Sequence, residues 1–160
     1  MQPNWIYKII EIPVTVTLNA YDASDVVGGV LTSDPIGQIR GGGYIEMVRL
    51  ADADDQKEPY LLYLFSATPP SATADAAAFA PTNADWIVCL GCISIPAANY
   101  DATGADACAF VDALDVKTNK NIAFPNLQTD RLYGYLVANA STPDYAAATD
   151  LTLHIGMWVA

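Results

Sequence analysis

Hydrophobic and polar residues alternate along several stretches of the chain, with the period of two that is typical of a β-strand with one buried face. The clearest stretch is 151–159, where Leu, Ile, Met or Val occupies every second position. Residues 14–18 alternate valine or leucine with threonine in the same way. Other apolar runs between turn-forming residues predict strands at 26–31, 36–50, 60–65, 86–95, 108–114, 121–124 and 131–138. Within 36–50, the glycines at 41–43 predict a kink between two strands.

Turn-forming residues separate these runs. Loops are predicted where Pro, Ser, Asn and Asp cluster, at 33–35, 68–71, 99–101 and 141–144. One short helical turn is predicted at the alanine-rich residues 72–80, with Asp75 near its start and Pro81 closing it. About eight strands without regular helix–strand alternation predict an all-β fold, a single-domain β-sandwich that is jelly-roll-like in topology.

Two predicted strands, 60–65 and 86–95, are apolar at nearly every position. A strand of a sandwich normally keeps one face in water. We therefore expect these strands either to be central and covered on both faces or to lie under a subunit interface.

The first twelve residues form a separate segment in this interpretation, an N-terminal arm or an edge strand, and the sandwich domain follows at 13–160. Pro3 and Pro13 bracket the segment, and Pro13 has no backbone N–H to donate to a neighbouring strand. Leaving all of its apolar side chains in water would be unfavourable. We expect them to contact a neighbouring protein, with an edge strand of the chain's own sandwich as the alternative. The candidate interface residues are Trp5, Ile6, Tyr7, Ile9 and Ile10.

Composition adds a second indication of assembly. Of 160 residues, 52% are hydrophobic and 16% charged, and the mean hydropathy is +0.22. Apolar surface in excess of one core is typically placed in an interface, and together with the two apolar runs it predicts a homo-oligomer, most simply a trimer. The 18 acidic and 7 basic residues give a net charge of −11, which opposes binding to nucleic acid or to anionic lipid.

The ends and cysteines of the chain bear on its location. Lys8 and Glu11 interrupt the N-terminal apolar stretch, so a secretion signal is not expected there. No apolar run is long enough to predict a membrane span. Three cysteines are an odd number, which disfavours a disulfide framework and favours synthesis in a reducing cytoplasm.

Several motifs are candidates for chemistry, and for each the simpler structural interpretation is favoured. His154 is the single histidine, and a solvated or interfacial strand position suits it better than catalysis. Cys89 and Cys92 have C-x-x-C spacing, and Cys108 with His154 would have to complete a zinc site. Inside an apolar strand the pair would point to opposite faces unless Gly91 bulges, so we expect reduced, buried cysteines.

The other candidates for chemistry are an acidic loop, a triple glycine and three tryptophans. Four acidic residues between two predicted strands favour a charged hairpin tip over a weak calcium site, because Lys57 stands where a calcium loop needs glycine. They are Asp52, Asp54, Asp55 and Glu58. The triple glycine is not followed by the lysine and hydroxyl residue of a phosphate loop. Trp5, Trp86 and Trp158 are candidates for a sugar platform, although packing is the commoner role of tryptophan.

An ordered series of strand-and-turn stretches runs through most of the chain. The stretches are 20–29 (AYDASDVVGG), 41–45 (GGGYI), 60–71 (YLLYLFSATPPS), 75–80 (DAAAFA), 132–138 (LYGYLVA) and 149–153 (TDLTL). In this order they resemble a family of small virion proteins of tailed phages, found near capsid genes and taken to be head decoration, or cement, proteins. The chain departs from that family in its extended N-terminal segment and its C-x-x-C pair.

This resemblance implies a β-sandwich virion protein without catalytic residues, cofactor or metal. It would be made in the cytoplasm of a bacterial host and would decorate the outer surface of the capsid, binding across junctions of the major capsid protein. The alternative is a receptor-binding or fibre module that binds a host glycan through exposed aromatic residues near Tyr100 and Tyr145. A third alternative, a small β-sandwich hydrolase, is disfavoured by the single histidine.

Overall fold

The computed structural model describes residues 5–37, 42–101, 106–125, 127 and 129–160. The strands are β1 (Ile6–Val14), β2 (Val26–Thr32), β3 (Gly43–Asp52), β4 (Tyr60–Phe65), β5 (Cys89–Ile95), β6 (Tyr100–Asp101), β7 (Ala107–Asp112), β8 (Ala123–Phe124), β9 (Tyr133–Ala138) and β10 (Leu151–Val159). One α-helix, α1 (Asn83–Val88), and a 3-10 turn at Ala97–Asn99 complete the described elements. No helix in this part of the chain is long and apolar enough to cross a membrane.

The strands form two antiparallel sheets. The first has the order β1-β10-β3-β7-β6, with β8 pairing to the end of β3, and the second has the order β2-β9-β4-β5. The strands of six or more residues pair from the outside inward along the sequence: β1 with β10, β2 with β9, β3 with β7 and β4 with β5. A long hairpin that rolls up in this way makes a jelly roll. The predicted all-β sandwich is confirmed.

The core fills the space between the two sheets. Alternate residues of β1 and β10 point into it, including Ile12, Leu153 and Ile155, each 2% exposed or less. Burying such a side chain contributes about 1.5–3 kcal/mol before ordering costs. Tyr60 and Tyr145 lie in the same core with their hydroxyl groups hydrogen-bonded to each other, and burial raises the pKa of both.

The outward face of the second sheet is covered by the chain's own residues 66–88. Phe79 packs against Tyr63 and Tyr135, with ring centroids 4.6 and 5.4 Å apart. The amide of Thr73 donates to the Tyr135 hydroxyl at 2.8 Å. This layer explains why all six residues of β9 are buried and why residues 60–65 are apolar throughout. Of the two expectations for that run, the central strand covered on both faces is the one observed.

The predicted helical turn at 72–80 is wrong. Ala72 and Ala76 have positive φ, at 45° and 53°, which an α-helix does not accommodate. The Asp75 carboxylate instead accepts hydrogen bonds from the Tyr21 hydroxyl and the Gly28 amide, at 2.9 and 2.6 Å. These tertiary contacts outweigh the helix propensity of the alanines.

The helix forms a few residues later, at Asn83–Val88, where a strand was predicted to begin at residue 86. Asp85 stands three residues after Thr82, the spacing of a capping box, and its carboxylate accepts from the Thr82 amide at 2.6 Å. The strand β5 begins only at Cys89.

From Ile6 onward, the N-terminal segment is an edge strand of the sandwich rather than an arm. β1 pairs with β10 from Ile6 to Val14, so it runs through Pro13 and across the predicted boundary at 12/13. Proline fits there because β1 is at the edge of its sheet and needs hydrogen bonds on one side only. The strand predicted at 14–18 therefore lies earlier, and only Val14 belongs to it.

Other predicted strands are confirmed with shifted ends, among them β2, β7, β8 and β9. Of the predicted strand–kink–strand at 36–50, the second strand is β3, residues 36 and 37 are not in a strand, and Gly41 lies outside the described residues.

Candidate functional site

The outward side of the first sheet is the candidate site. The alternation that buries Ile10 and Ile12 turns the odd-numbered residues of β1 outward. The strand register then aligns them in rows with residues of β10, β3 and β7. The rows are Tyr7–Trp158–Tyr44, Ile9–Gly156–Met47–Asp112 and Glu11–His154–Arg49–Phe110. We call this surface, with Trp5 at its end, the outer face.

Aromatic side chains cover one end of the outer face. Trp5 lies against Tyr44 with centroids 5.7 Å apart, and Tyr7 lies against Trp158 at 5.1 Å. Gly156 makes room for Tyr7, because a Cβ at that position would overlap the tyrosine hydroxyl. The Trp158 indole donates to the Glu46 carboxylate at 3.0 Å and is held in place.

The remaining apolar residues of the outer face are open to solvent. Ile9 is 59% exposed, Phe110 55% and Trp5 45%. Beside Phe110 lies a depression of about 330 Å³ lined by Met47, Val48, Asn99, Phe110, Val111 and Asp112. Several large apolar side chains exposed on one face of a sheet favour an interaction site there.

The predicted interface residues divide between the outer face and the core. Trp5, Tyr7 and Ile9 lie on the outer face, as their odd numbers in the strand require. Ile6 is 54% exposed at the end of β1, on the opposite parity. Ile10 is 8% exposed and belongs to the hydrophobic core, so its assignment to an interface is wrong.

The residues that complete the outer face come from strands distant in sequence, and no pattern along the chain predicts that they lie beside β1. Tyr44, Met47 and Arg49 belong to β3, and Phe110 belongs to β7. Their outward parity follows from period two, but their position beside β1 depends on strand register. They lie beside β1 because β10 is placed between β1 and β3 in the sheet.

A polar row crosses the middle of the outer face. His154 Nε2 lies 3.4 Å from the Glu11 carboxylate, while its Nδ1 is buried without a hydrogen-bond partner. Arg49 pairs with His154 across the strands, and its Nε is also buried without a partner. The row therefore holds unsatisfied polar atoms within an apolar surface.

The C-x-x-C pair lies on the second sheet. Leu90 is the extra residue of a β-bulge, since Phe65 pairs with Cys89 and Leu64 pairs with Gly91. Because of this bulge both cysteines line one groove of about 270 Å³, together with Tyr63, Trp86, Leu90, Asp115 and Lys117. Burial raises the pKa of Cys92 to about 12 and also raises that of Cys89, which disfavours the thiolate that metals and electrophiles require.

All three cysteines are free thiols. Among the residues that the structure describes, no three or more His, Cys, Asp or Glu side chains are grouped so that they could hold a metal ion.

The acidic cluster serves its own loop. The buried Asp52 carboxylate accepts from the amides of Asp54 and Lys57 at 3.1 and 2.9 Å, and burial raises its pKa. Asp54 accepts from the Gln56 side chain and the Ala146 amide, and Asp55 pairs with Lys57. These carboxylates are therefore occupied by donors of the chain.

Tyr100 and Tyr145, the loop residues expected to contact a glycan, are not exposed. Tyr145 is 2% exposed, and Tyr100 is half-buried with its hydroxyl donating to the Glu58 carbonyl at 3.1 Å. Of the three tryptophans, Trp5 and Trp158 are on the outer face, and Trp86 is 45% exposed at the rim of the cysteine groove.

No protein-family model matches this chain, and no curated protein matches it.

Proposed function

We propose that the protein is a non-catalytic virion structural protein that decorates the outer surface of a tailed-phage capsid and stabilises it. The observation that carries this proposal is the asymmetry of the two sheets. One sheet is covered on its outward side by residues 66–88, whereas the outer face of the other leaves Trp5, Ile9 and Phe110 in solvent. A sandwich with one bare apolar face is suited to lie against another protein.

The proposed partner is the major capsid protein in its assembled form. The outer face extends over four strands, β1, β10, β3 and β7. A partner surface that matches it is larger than a single side chain, and a junction between capsid subunits offers such a surface. A protein that binds the assembled lattice but not the dissociated subunits stabilises the lattice by mass action. A closed homotrimer, which matches a threefold junction, is part of the proposal.

Head binding by matched surface variants tests the proposal. Phe110→Ser removes an exposed apolar side chain from the outer face, and Ile87→Ser removes one, 83% exposed, from α1 on the other sheet's covering layer. We expect Phe110→Ser to reduce co-sedimentation with phage heads that lack this protein, and Ile87→Ser to leave it unchanged. Equal effects of the two substitutions would contradict a role for the outer face.

A second candidate function, binding of a host glycan, is favoured by the groove beside Trp86. The exposed indole, Tyr63 and Lys117 border this groove, and an indole face stacks on sugar rings. A glycan array with the natural protein and with Trp86→Ala distinguishes the two functions. Specific sugar binding that depends on Trp86, with no binding to heads, would favour the glycan module.

A further inference from the structure

Arg49 lies in the interior of the outer face without a charged partner of its own. Its strand neighbours are His154 on β10 and Phe110 on β7. Among the described residues the salt bridges are Lys57–Asp55 and His154–Glu11, and neither includes Arg49. The acidic residues of the same face, Glu11, Glu46 and Asp112, are thus not paired with its guanidinium.

This arrangement is unfavourable in the free protein. Arg49 Nε is buried and makes no hydrogen bond, and the neighbouring His154 Nδ1 is in the same condition. A buried donor without a partner destabilises the fold, and a charged one does so more strongly. A docking partner cannot reach the buried Nε, but Arg49 as a whole is partly exposed, and a partner that brings a carboxylate to its exposed part supplies the missing counter-charge.

The chemistry of the acceptor follows from the donor and its surroundings. A guanidinium presents donors in a planar fork that matches the two oxygens of a carboxylate. The depression beside Phe110, which is the cross-strand neighbour of Arg49, is lined in part by Met47 and Val111 and suits an apolar side chain. Exposed apolar side chains on the same face, Ile9 and Phe110, suit a protein partner better than the phosphates of nucleic acid or lipid.

We propose that the outer face binds an acidic side chain, Asp or Glu, of a partner protein on Arg49, with an apolar residue of the same partner in the depression beside Phe110. This inference rests on the proposed function and names the feature of the capsid surface that the outer face recognises. Arg49 is then the specificity-determining residue of the interface, and Phe110 beside it shields the ion pair from water.

Three full-length variants test the inference. Arg49→Met removes the charge and keeps an apolar stem, Arg49→Lys keeps the charge without the fork, and Lys120→Met makes the same charge change at an exposed loop position. The probes are co-sedimentation with phage heads that lack this protein, at two salt concentrations, and the melting temperature of each free variant.

We expect Arg49→Met to weaken head binding at least about 30-fold, the effect of removing one member of a buried ion pair. Arg49→Lys should bind with intermediate affinity, and Lys120→Met should bind like the natural protein. The melting temperature of Arg49→Met should be unchanged or higher, since an unpaired buried donor has been removed.

The possible outcomes separate this inference from the proposed function. If the natural protein does not bind heads, the decoration function is wrong. If it binds and Arg49→Met binds equally well, only the acidic-partner inference is wrong. A lower melting temperature for Arg49→Met would also overturn the inference, because it would show that Arg49 stabilises its own fold. Ultraviolet cross-linking from a photoreactive residue at position 110 should reach a capsid peptide that contains Asp or Glu, and cross-links between copies of this chain alone would contradict it.

Discussion

At the scale of single residues, Asp85 connects two parts of the layer that covers the second sheet, the loop after β4 and the start of α1. The carboxylate is fully buried and accepts hydrogen bonds from the Ser71 amide at 2.9 Å and from the Thr82 amide and hydroxyl at 2.6 and 2.7 Å. These hydrogen bonds outweigh desolvation, which acts in the opposite direction, and lower the pKa of Asp85 to about 2. One ionised side chain therefore fixes both the loop after β4 and the start of α1.

Asp85→Ala should lower the free energy of unfolding by about 1–3 kcal/mol at neutral pH, because three donors lose their acceptor. The folded-state pKa lies below the ordinary value of 3.8, so the unfolded chain binds this proton more readily. The contribution of Asp85 is thus present above pH 3.8 and is lost as the pH falls towards 2. Urea unfolding at several pH values measures it, with Asp144→Ala as the exposed control. An Asp85→Ala variant that retains the full acid sensitivity of the natural protein would contradict this explanation.

The cysteine pair gives a second prediction at this scale. The double substitution Cys89→Ser and Cys92→Ser should cost about 1–2 kcal/mol, because hydroxyl groups replace small apolar groups in a mostly buried groove. Cys108→Ser is the single-site control. Elemental analysis of the natural protein is expected to find no stoichiometric zinc, and a zinc content near one per chain would overturn the interpretation of these residues as free thiols.

At the scale of elements, β1 has two roles on its two faces. It hydrogen-bonds to β10 over nine residue pairs and contributes Ile10, Ile12 and Val14 to the core. The same strand presents Tyr7 and Ile9 on the outer face. The inward face of β1 thus stabilises the fold, and its outward face contributes to the proposed contact with the partner.

A matched pair of substitutions within β1 separates these roles. Ile12→Ala should lower the free energy of unfolding by about 2–5 kcal/mol, since Ile12 is 2% exposed and its removal leaves a cavity. Ile9→Ala, at a position 59% exposed, should change it by less than about 0.5 kcal/mol and should weaken head binding. Chemical denaturation checks the first effect. Similar losses of stability at both positions would show that β1 is not ordered as an edge strand.

The elements differ in how far the sequence predicts them. The hydrophobic pattern predicts β4 and β10 directly, because a continuous apolar run of this length and a strict alternation are both typical of strands. Alanine content predicts a helical turn at 72–80, whereas the capping pair Thr82 and Asp85 marks the start of the helix that forms, Asn83–Val88. The two-residue strands β6 and β8 exist only through pairing with β7 and β3 and have no local pattern. The sequence does not give strand register, so it does not predict that Arg49 and His154 are cross-strand neighbours.

At the scale of the whole molecule, the rolled hairpin places the two sheet faces in different environments. Residues 66–88 cover the outward side of the second sheet, so the apolar run at 60–65 does not require a subunit interface. The run predicted at 86–95 is not a central strand, because β5 lies at the edge of that sheet and its first three residues are partly exposed. The outer face exposes Trp5, Tyr7, Ile9 and Phe110, and further exposed hydrophobic side chains lie on α1 and in loops. Self-association that leaves the outer face free can use a sheet edge such as that of β1.

The purified protein should sediment as a homotrimer, with the outer face left free for the capsid. Sedimentation velocity over a range of concentrations measures this mass, and Phe110→Ser should leave it unchanged. A monomer in solution together with isolated single copies on the capsid would contradict the trimer.

Electron cryomicroscopy of heads carrying the bound protein tests the central claim most directly. The proposed function predicts density for this sandwich over junctions of capsid subunits, with Trp5, Ile9 and Phe110 turned towards the capsid and residues 66–88 turned away. Density that places the outer face in solvent, or that places the protein on the tail or fibres instead of the head, would contradict it.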